Sequence, residues 1–184
     1  MQQIRMIFFI LATVANFAFS WRALKNPNCH GFYRFFVFET IIILFAFNLP
    51  YWFQRPFIPR QILAWLILFI SLYYAITAFY LLIKKGRSSD KARLATNYTF
   101  ESTGELVKTG LYKWIRHPMY GSLLLLAWGI FLKNITPATI ACVGCCTLFV
   151  WLTAKVEEKE NILSFGDTYE SYRKVTKMFI PFLW

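Results

Sequence analysis

The stretch GLYKWIRHPMYGS, residues 110–122, brings Tyr112, Arg116, His117 and Tyr120 to the mouth of an apolar segment. Further along, KVEEKENILSFGDTYESY places Glu157 and Glu158 where another apolar segment ends. Pro118 suits the first turn of a helix, because its missing N–H would be unpaired there in any case. His117 then takes the cap position. The first-turn N–H groups and the helix dipole make that end mildly positive, and Arg116 adds a full charge, so this helix start suits a carboxylate or a phosphate. The two glutamates bring two carboxylates to the same edge, and Glu158 is a candidate general base as well as a salt-bridge partner. The plainer alternative is a membrane helix with snorkelling Arg and Lys, interfacial Tyr and Trp, and an Arg–Glu pair closing a hairpin.

These residues are positioned by apolar segments. Of the 184 residues, 58% are hydrophobic and 16% charged, where a soluble domain carries about 25% charged. Blocks of about 20 apolar residues span a bilayer as helices. The chain therefore reads as an all-α integral membrane protein forming one membrane domain, residues 1–184. About five helices are expected: roughly Ile4–Trp21, Phe32–Phe53, Ile62–Ile83, Pro118–Leu132 and Pro137–Val156. Residues 1–83 hold the first three, 84–116 form a connecting loop, and 117–184 form a hairpin and tail. KNITP turns the chain between the last two segments, so the start of one lies beside the end of the other. That brings Glu157 and Glu158 to Arg116 and His117.

The formal net charge of +11 does not point to nucleic acid here, because the basic residues flank apolar blocks and read as a lipid-facing margin. With five spans, sixteen of the twenty Lys and Arg fall on one side, while Arg5, Arg55, Arg60 and Lys133 fall on the other. The positive-inside rule then puts the 84–116 loop, the polar cluster and the tail in the cytoplasm. The first segment also matches a cleavable signal peptide, with a small-x-small ending at Ala18–Ser20; the reading taken is a retained helix. Cys29, Cys142, Cys145 and Cys146 read as packing residues, and no Cys/His spacing suggests a metal site.

In the tail, Gly166 can end a helix and Asp167–Glu170 reads as a capping box opening another. Tyr169, Tyr172 and Val175 are spaced to share a face, giving an interfacial helix able to fold back over the polar cluster. Glu39 stands apart inside the second segment. An ionisable residue in a membrane helix is a functional candidate, here for substrate contact, although pairing with Arg34 or His30 is an alternative.

The ordered pair GLYKWIRHPMYGS and EE…FGDTYESYRK…P resembles the integral membrane methyltransferase superfamily. Its best-known members are the isoprenylcysteine carboxyl methyltransferases, with phospholipid methyltransferases related. The resemblance runs from Asn97 to Pro181. It implies S-adenosylmethionine as cofactor, held at the cytoplasmic ends of the last helices and covered by the tail. The cofactor-binding positions it implies are Asn97 in place of a glutamine, Gly104, Glu105, Leu106, Val107, Tyr112, His117, Pro118, Met119, Tyr120 and Glu157. Thr153 stands where the carboxyl methyltransferases carry a substrate-binding arginine. That departure speaks against a prenylcysteine carboxylate and leaves a lipid amine, or a small lipophilic acid, thiol or amine, as the methyl acceptor.

Such chemistry asks for alignment, a free lone pair and exclusion of water, and needs no metal. A carboxylate nucleophile needs no base, whereas an ammonium must first lose a proton. Arg116 and Glu158 are the candidate catalytic pair. Two rivals remain. Membrane reductases with a similar Arg-His-Pro pattern bind NADPH but usually have more helices, and a non-catalytic membrane scaffold explains the hydropathy but not the paired polar motifs.

Overall fold

The computed structural model describes residues 2–85 and 105–182. Within these, α1 is Gln2–Leu24, α2 His30–Asn48, α3 Pro59–Lys85, α4 Pro118–Phe131, α5 Pro137–Phe165 and α6 Asp167–Val175. Four of them, α1, α2, α3 and α5, are long and apolar enough to cross a membrane, and α4 is a shorter apolar helix. This is an all-α, multi-pass membrane protein. Many large apolar side chains on α1 and α3 point outward, among them Leu11, Phe19, Leu66, Phe69 and Ile76. In a bilayer that is their favourable environment.

The helices neighbour one another in the order α1, α2, α5, α4, α3. The core runs along this seam through Val37, Ile41 and Leu44 of α2, Leu124, Ala127 and Ile130 of α4, and Val143, Cys146 and Val150 of α5. Polar contacts pin the seam. Ser71 Oγ on α3 donates to Ser122 O on α4 at 2.8 Å. Gly129 lets α3 come close, since a Cβ there would lie 2.8 Å from Leu68. Small residues let membrane helices approach each other in this way. At the α4–α5 turn, Gln61 Nε2 donates to Lys133 O at 2.9 Å, and the buried Lys133 Nζ sits 3.7 Å from the centroid of the Trp65 ring.

Several sequence expectations shift in detail. The second segment stops as an α-helix at Asn48 and continues as a 3₁₀ turn over Leu49–Tyr51, because Pro50 cannot donate the next helical bond. The fifth runs nine residues past Val156, to Phe165, so Glu157 and Glu158 lie on the helix itself. Gly166, with φ of 55°, ends α5 as expected, but α6 opens without a side-chain cap at Asp167. The capping box lies instead at α5, where Thr136 and Thr139 bond reciprocally. In α6, Tyr169 and Tyr172 are buried while Val175 is 79% exposed, so the three do not share one buried face.

Candidate functional site

Trp114–His117 and the tail form the floor of the site. Arg116 N donates to Lys177 O at 2.9 Å, His117 N to Met178 O at 3.1 Å, and Lys177 N to Trp114 O at 2.9 Å. The tail thus lies alongside the approach to α4 as a short parallel pairing. Tyr172 of α6 adds a hydrogen bond from its hydroxyl to Tyr112 O at 2.6 Å. Burial pushes the Tyr172 phenol above its ordinary range, with Tyr169 adding to the effect. The Tyr112 phenol is raised too, first by burial and then by the charge of Glu157. Gly110, at φ of 62°, makes the turn into this segment, and a Cβ there would meet Leu81 of α3 at 2.6 Å.

At the base of the hairpin, Arg116 Nε donates to Glu158, and Arg116 Nη1 donates to Thr176 O at 2.7 Å. Glu158 is buried, and its Oε1 lies 3.7 Å from His117 Nε2, beyond hydrogen-bond length. His117 Nδ1 is 3.9 Å from Glu157. His117 caps α4 by position only, since its side chain makes no cap bond. Its ring instead stacks on Tyr120 at 5.6 Å, and its Nε2 is buried without a hydrogen-bond partner.

These groups open onto a cavity of about 270 Å³. Its walls include Leu106, Val107, Tyr112, Arg116, His117, Pro118, Met119, Tyr120 and Glu157, all singled out in the sequence. Glu158 stands behind this wall, joined to it through Arg116. Glu105 is exposed and is not among the lining residues, and Asn97 and Gly104 lie outside the described residues. Thr153 is fully buried, donates to Phe149 O at 2.7 Å along its own helix, and does not line the cavity. Glu39 also stays outside. It accepts from Thr13 at 2.7 Å and Asn16 at 3.1 Å on α1, rather than pairing with Arg34 or His30. His30 pairs instead with Glu160, whose carboxylate accepts from His30 N at 3.0 Å and lies 2.5 Å from the ring Nδ1.

Sequence reasoning did not find the remaining walls. Arg34 and Phe38 come from α2, Ala75 and Leu82 from α3, and Asn161 and Phe165 from the far end of α5. Arg34 and Phe38 are one helical turn apart, which was the one available signal. Tyr169 and Tyr172, expected on one face of a helix able to fold back over the polar cluster, line the cavity as well.

The family model described as phospholipid methyltransferase matches residues 59–167, more than half of the chain. The chain belongs to the phospholipid methyltransferase family. In this family member the match takes in α3, the approach to α4, and the whole α4–α5 hairpin, and leaves α1 and α2 outside. A methanethiol S-methyltransferase from Crocosphaera subtropica is 31% identical over 72 residues, covering 39% of this chain and 28% of that protein. One from Pseudomonas deceptionensis is 32% identical over 73 residues, covering 40% and 27%. Methanethiol S-methyltransferase 1 of Bradyrhizobium diazoefficiens is 30% identical over 82 residues, covering 44% and 28%. The matched stretch thus spans less than a third of the length of these curated relatives. No solved structure matches this phospholipid methyltransferase family member.

Proposed function

We propose that this protein is an S-adenosylmethionine-dependent methyltransferase acting on a lipophilic acceptor that reaches the cavity from the membrane. The observation that carries the reading is the convergence of His117, Tyr120, Tyr112 and Glu157, from two motifs far apart in sequence, on one cavity. The residues present suit the cofactor. The His117 ring lines the cavity beside Glu157, its Nδ1 3.9 Å from that carboxylate. Glu157 offers a carboxylate to hydroxyls or an ammonium, and Tyr112, Met119 and Tyr120 offer apolar and aromatic surface. Bound adenosylmethionine would supply an activated methyl group. The chain's own part is to orient, to exclude water and to keep charge in place.

Within that reading, Arg116 and Glu158 act as a positioning pair. The carboxylate of Glu158 is already engaged by Arg116, which argues against its use as a base and for its use as a strut under His117. The tail, bonded along Trp114–His117, covers the site. The names of the relatives favour a small thiol as acceptor and the family description favours a phospholipid. Thr153, turned back onto its own helix, is consistent with prenylcysteine carboxylates being poor acceptors.

Adenosylhomocysteine titrated into the detergent-solubilised protein should bind and raise its melting temperature, and NADPH should do neither. A folded protein indifferent to adenosylhomocysteine would overturn the reading. Stabilisation by NADPH would favour the reductase-like alternative, and indifference to both a membrane scaffold. Farnesylcysteine analogues should be methylated poorly. Fast methylation dependent on their free carboxylate would contradict the inference drawn from Thr153.

A further inference from the structure

Helix α6 and the tail close on the approach to α4 as a clasp, and its exposed side carries groups that the cavity does not use. Between α6 and that approach lies a shallow recess of about 320 Å³. Lys108 and Lys113 form one lip, and Ser171, Tyr172, Val175 and Thr176 form the other. Tyr172 also lines the cavity that holds His117, whereas the two lysines do not. Lys113 Nζ sits 5.1 Å from the centroid of the exposed Trp114 ring, and the ring of Phe182, exposed as well, lies 5.4 Å from that indole. Charge is divided along α6. Asp167 and Glu170 stand in its first turn, and Arg173 and Lys174 in its last. Its basic end therefore meets the recess, and the exposed Lys177 follows in the tail.

Helix length sets the depth of this recess. Helix α4 has 14 residues, about 21 Å of helix against about 30 Å for the hydrocarbon core of a bilayer. With the α4–α5 turn at the opposite surface, the start of α4 and the clasp resting on it stand no farther out than the lipid headgroups. Aromatic rings such as Trp114 and Phe182 suit that layer, and ammonium groups beside it attract anionic lipid. We infer that the recess docks the anionic headgroup of a phospholipid from the bilayer around the chain. Lys108 and Lys113 hold its phosphate oxygens from the approach to α4, and the exposed Ser171 hydroxyl donates to them from α6. A headgroup bound across the two lips holds the clasp shut. Lys108, Lys113, Arg173, Lys174 and Lys177 are all exposed around this site. A zwitterionic headgroup would bring a further ammonium among them, so the charge favours an anionic one. The inference stands apart from the methyltransferase reading, because it uses only the clasp and the membrane-spanning helices.

The test compares hydrogen exchange of the full-length protein in bilayer discs of phosphatidylcholine alone and of phosphatidylcholine with phosphatidylglycerol. The amides of Arg116 and His117 and that of Lys177 bond across the clasp. In the anionic bilayer they should exchange at least about fivefold more slowly, the worth of one lysine beside an anionic surface. Amides within α5 should exchange alike in both. Lys108→Gln and Lys113→Gln in one chain should remove the difference, and Lys108→Arg with Lys113→Arg should keep it. Raised salt on the unaltered chain should shrink it, which keeps the test open if the glutamine variant does not fold. Equal exchange in the two bilayers overturns the inference. So does a difference that survives the glutamine pair or high salt, or one as large in α5 as at the clasp. Inorganic phosphate added to the phosphatidylcholine discs should have no effect. The same slowing there would assign the recess to a soluble phosphate and overturn the lipid as its occupant.

Discussion

His117 and Glu157 face one cavity from two helices, so single substitutions separate a ligand site from a hairpin clasp. His117→Ala and Glu157→Gln should each weaken adenosylhomocysteine binding by about ten- to a hundredfold, the worth of one hydrogen bond to a charged or polar group in a partly desolvated site. Their combined effect should fall short of the sum, because both orient one ligand. Unchanged affinity with lowered melting temperature in both would make them structural. Glu158 belongs to the other category. It is 3% exposed and bonded to a mostly buried Arg116, so Glu158→Ala should cost about 3–5 kcal/mol of stability by stranding that charge. Chemical denaturation measures it, and a loss near zero would show that the pair is solvated. The tyrosines set a pH limit. Burial raises the Tyr112, Tyr169 and Tyr172 phenols above their ordinary value, so the fold favours their neutral form. The unfolded chain ionises near pH ~10. Their contribution is therefore complete below about pH 10 and is lost as the pH rises through the higher folded values. Melting temperature should stay level from neutral pH up to about pH 9 and fall above it, and phenolate absorbance should show these tyrosines ionising only on unfolding.

Between residue and fold stands the clasp of α6 and the tail on the entry to α4. Tyr172 ties α6 to Tyr112 O, and residues 176–178 bond along Trp114–His117. Tyr172→Phe removes one of these bonds and leaves a buried carbonyl short of a donor, at a cost of about 1–3 kcal/mol. Much of that cost should appear as local opening, because the clasp can release while the helical seam stays packed. Hydrogen exchange should therefore quicken at Arg116, His117 and Lys177, whose amides are bonded across the clasp, before it quickens in α5. Exchange unchanged at those amides would mean that the tail is held elsewhere. The same clasp explains why α6 forms without a side-chain cap bond: its face of Tyr169 and Tyr172 is buried by tertiary packing.

For the molecule as a whole, the arrangement of polar groups in depth matters most. Helix α4 has 14 residues and α5 has 29, or about 21 Å and 44 Å of helix. Joined at one end, they leave α5 reaching well past the start of α4, and α6 and the tail fill that step. The site thereby lies at one end of the bundle, and Lys133 with its tryptophans lies at the other. From the charge bias, sixteen Lys and Arg against four, we propose that the site end faces the cytoplasm. Reporter fusions after Phe182 should read as cytoplasmic, and fusions in the turn between α4 and α5 as external. The reverse pattern would place the cofactor site on the other side of the membrane.

Apolar block length determined the helices, because a bilayer tolerates little else across its core. The His-Pro start, the glutamate pair and the hairpin turn between them determined that Arg116, His117, Glu157 and Glu158 meet, since a short turn brings the start of one helix back beside the end of the other. Sequence also marked Gly166 as a stop, because its backbone conformation is costly for other residues. Local sequence did not determine which charges within the helices face the cavity. Glu39 and Arg34 are one turn and a residue apart on α2, yet α1 takes the first through Thr13 and Asn16, while the second lines the cavity. Nor did it show that Thr153 would spend its hydroxyl on its own helix, or that Glu160 would cap α2 from across the bundle. Each of these depends on how neighbouring helices are rotated about their axes. That rotation is fixed by packing between elements far apart in the chain, and periodicity within one apolar segment, hydrophobic on all faces, carries almost no record of it.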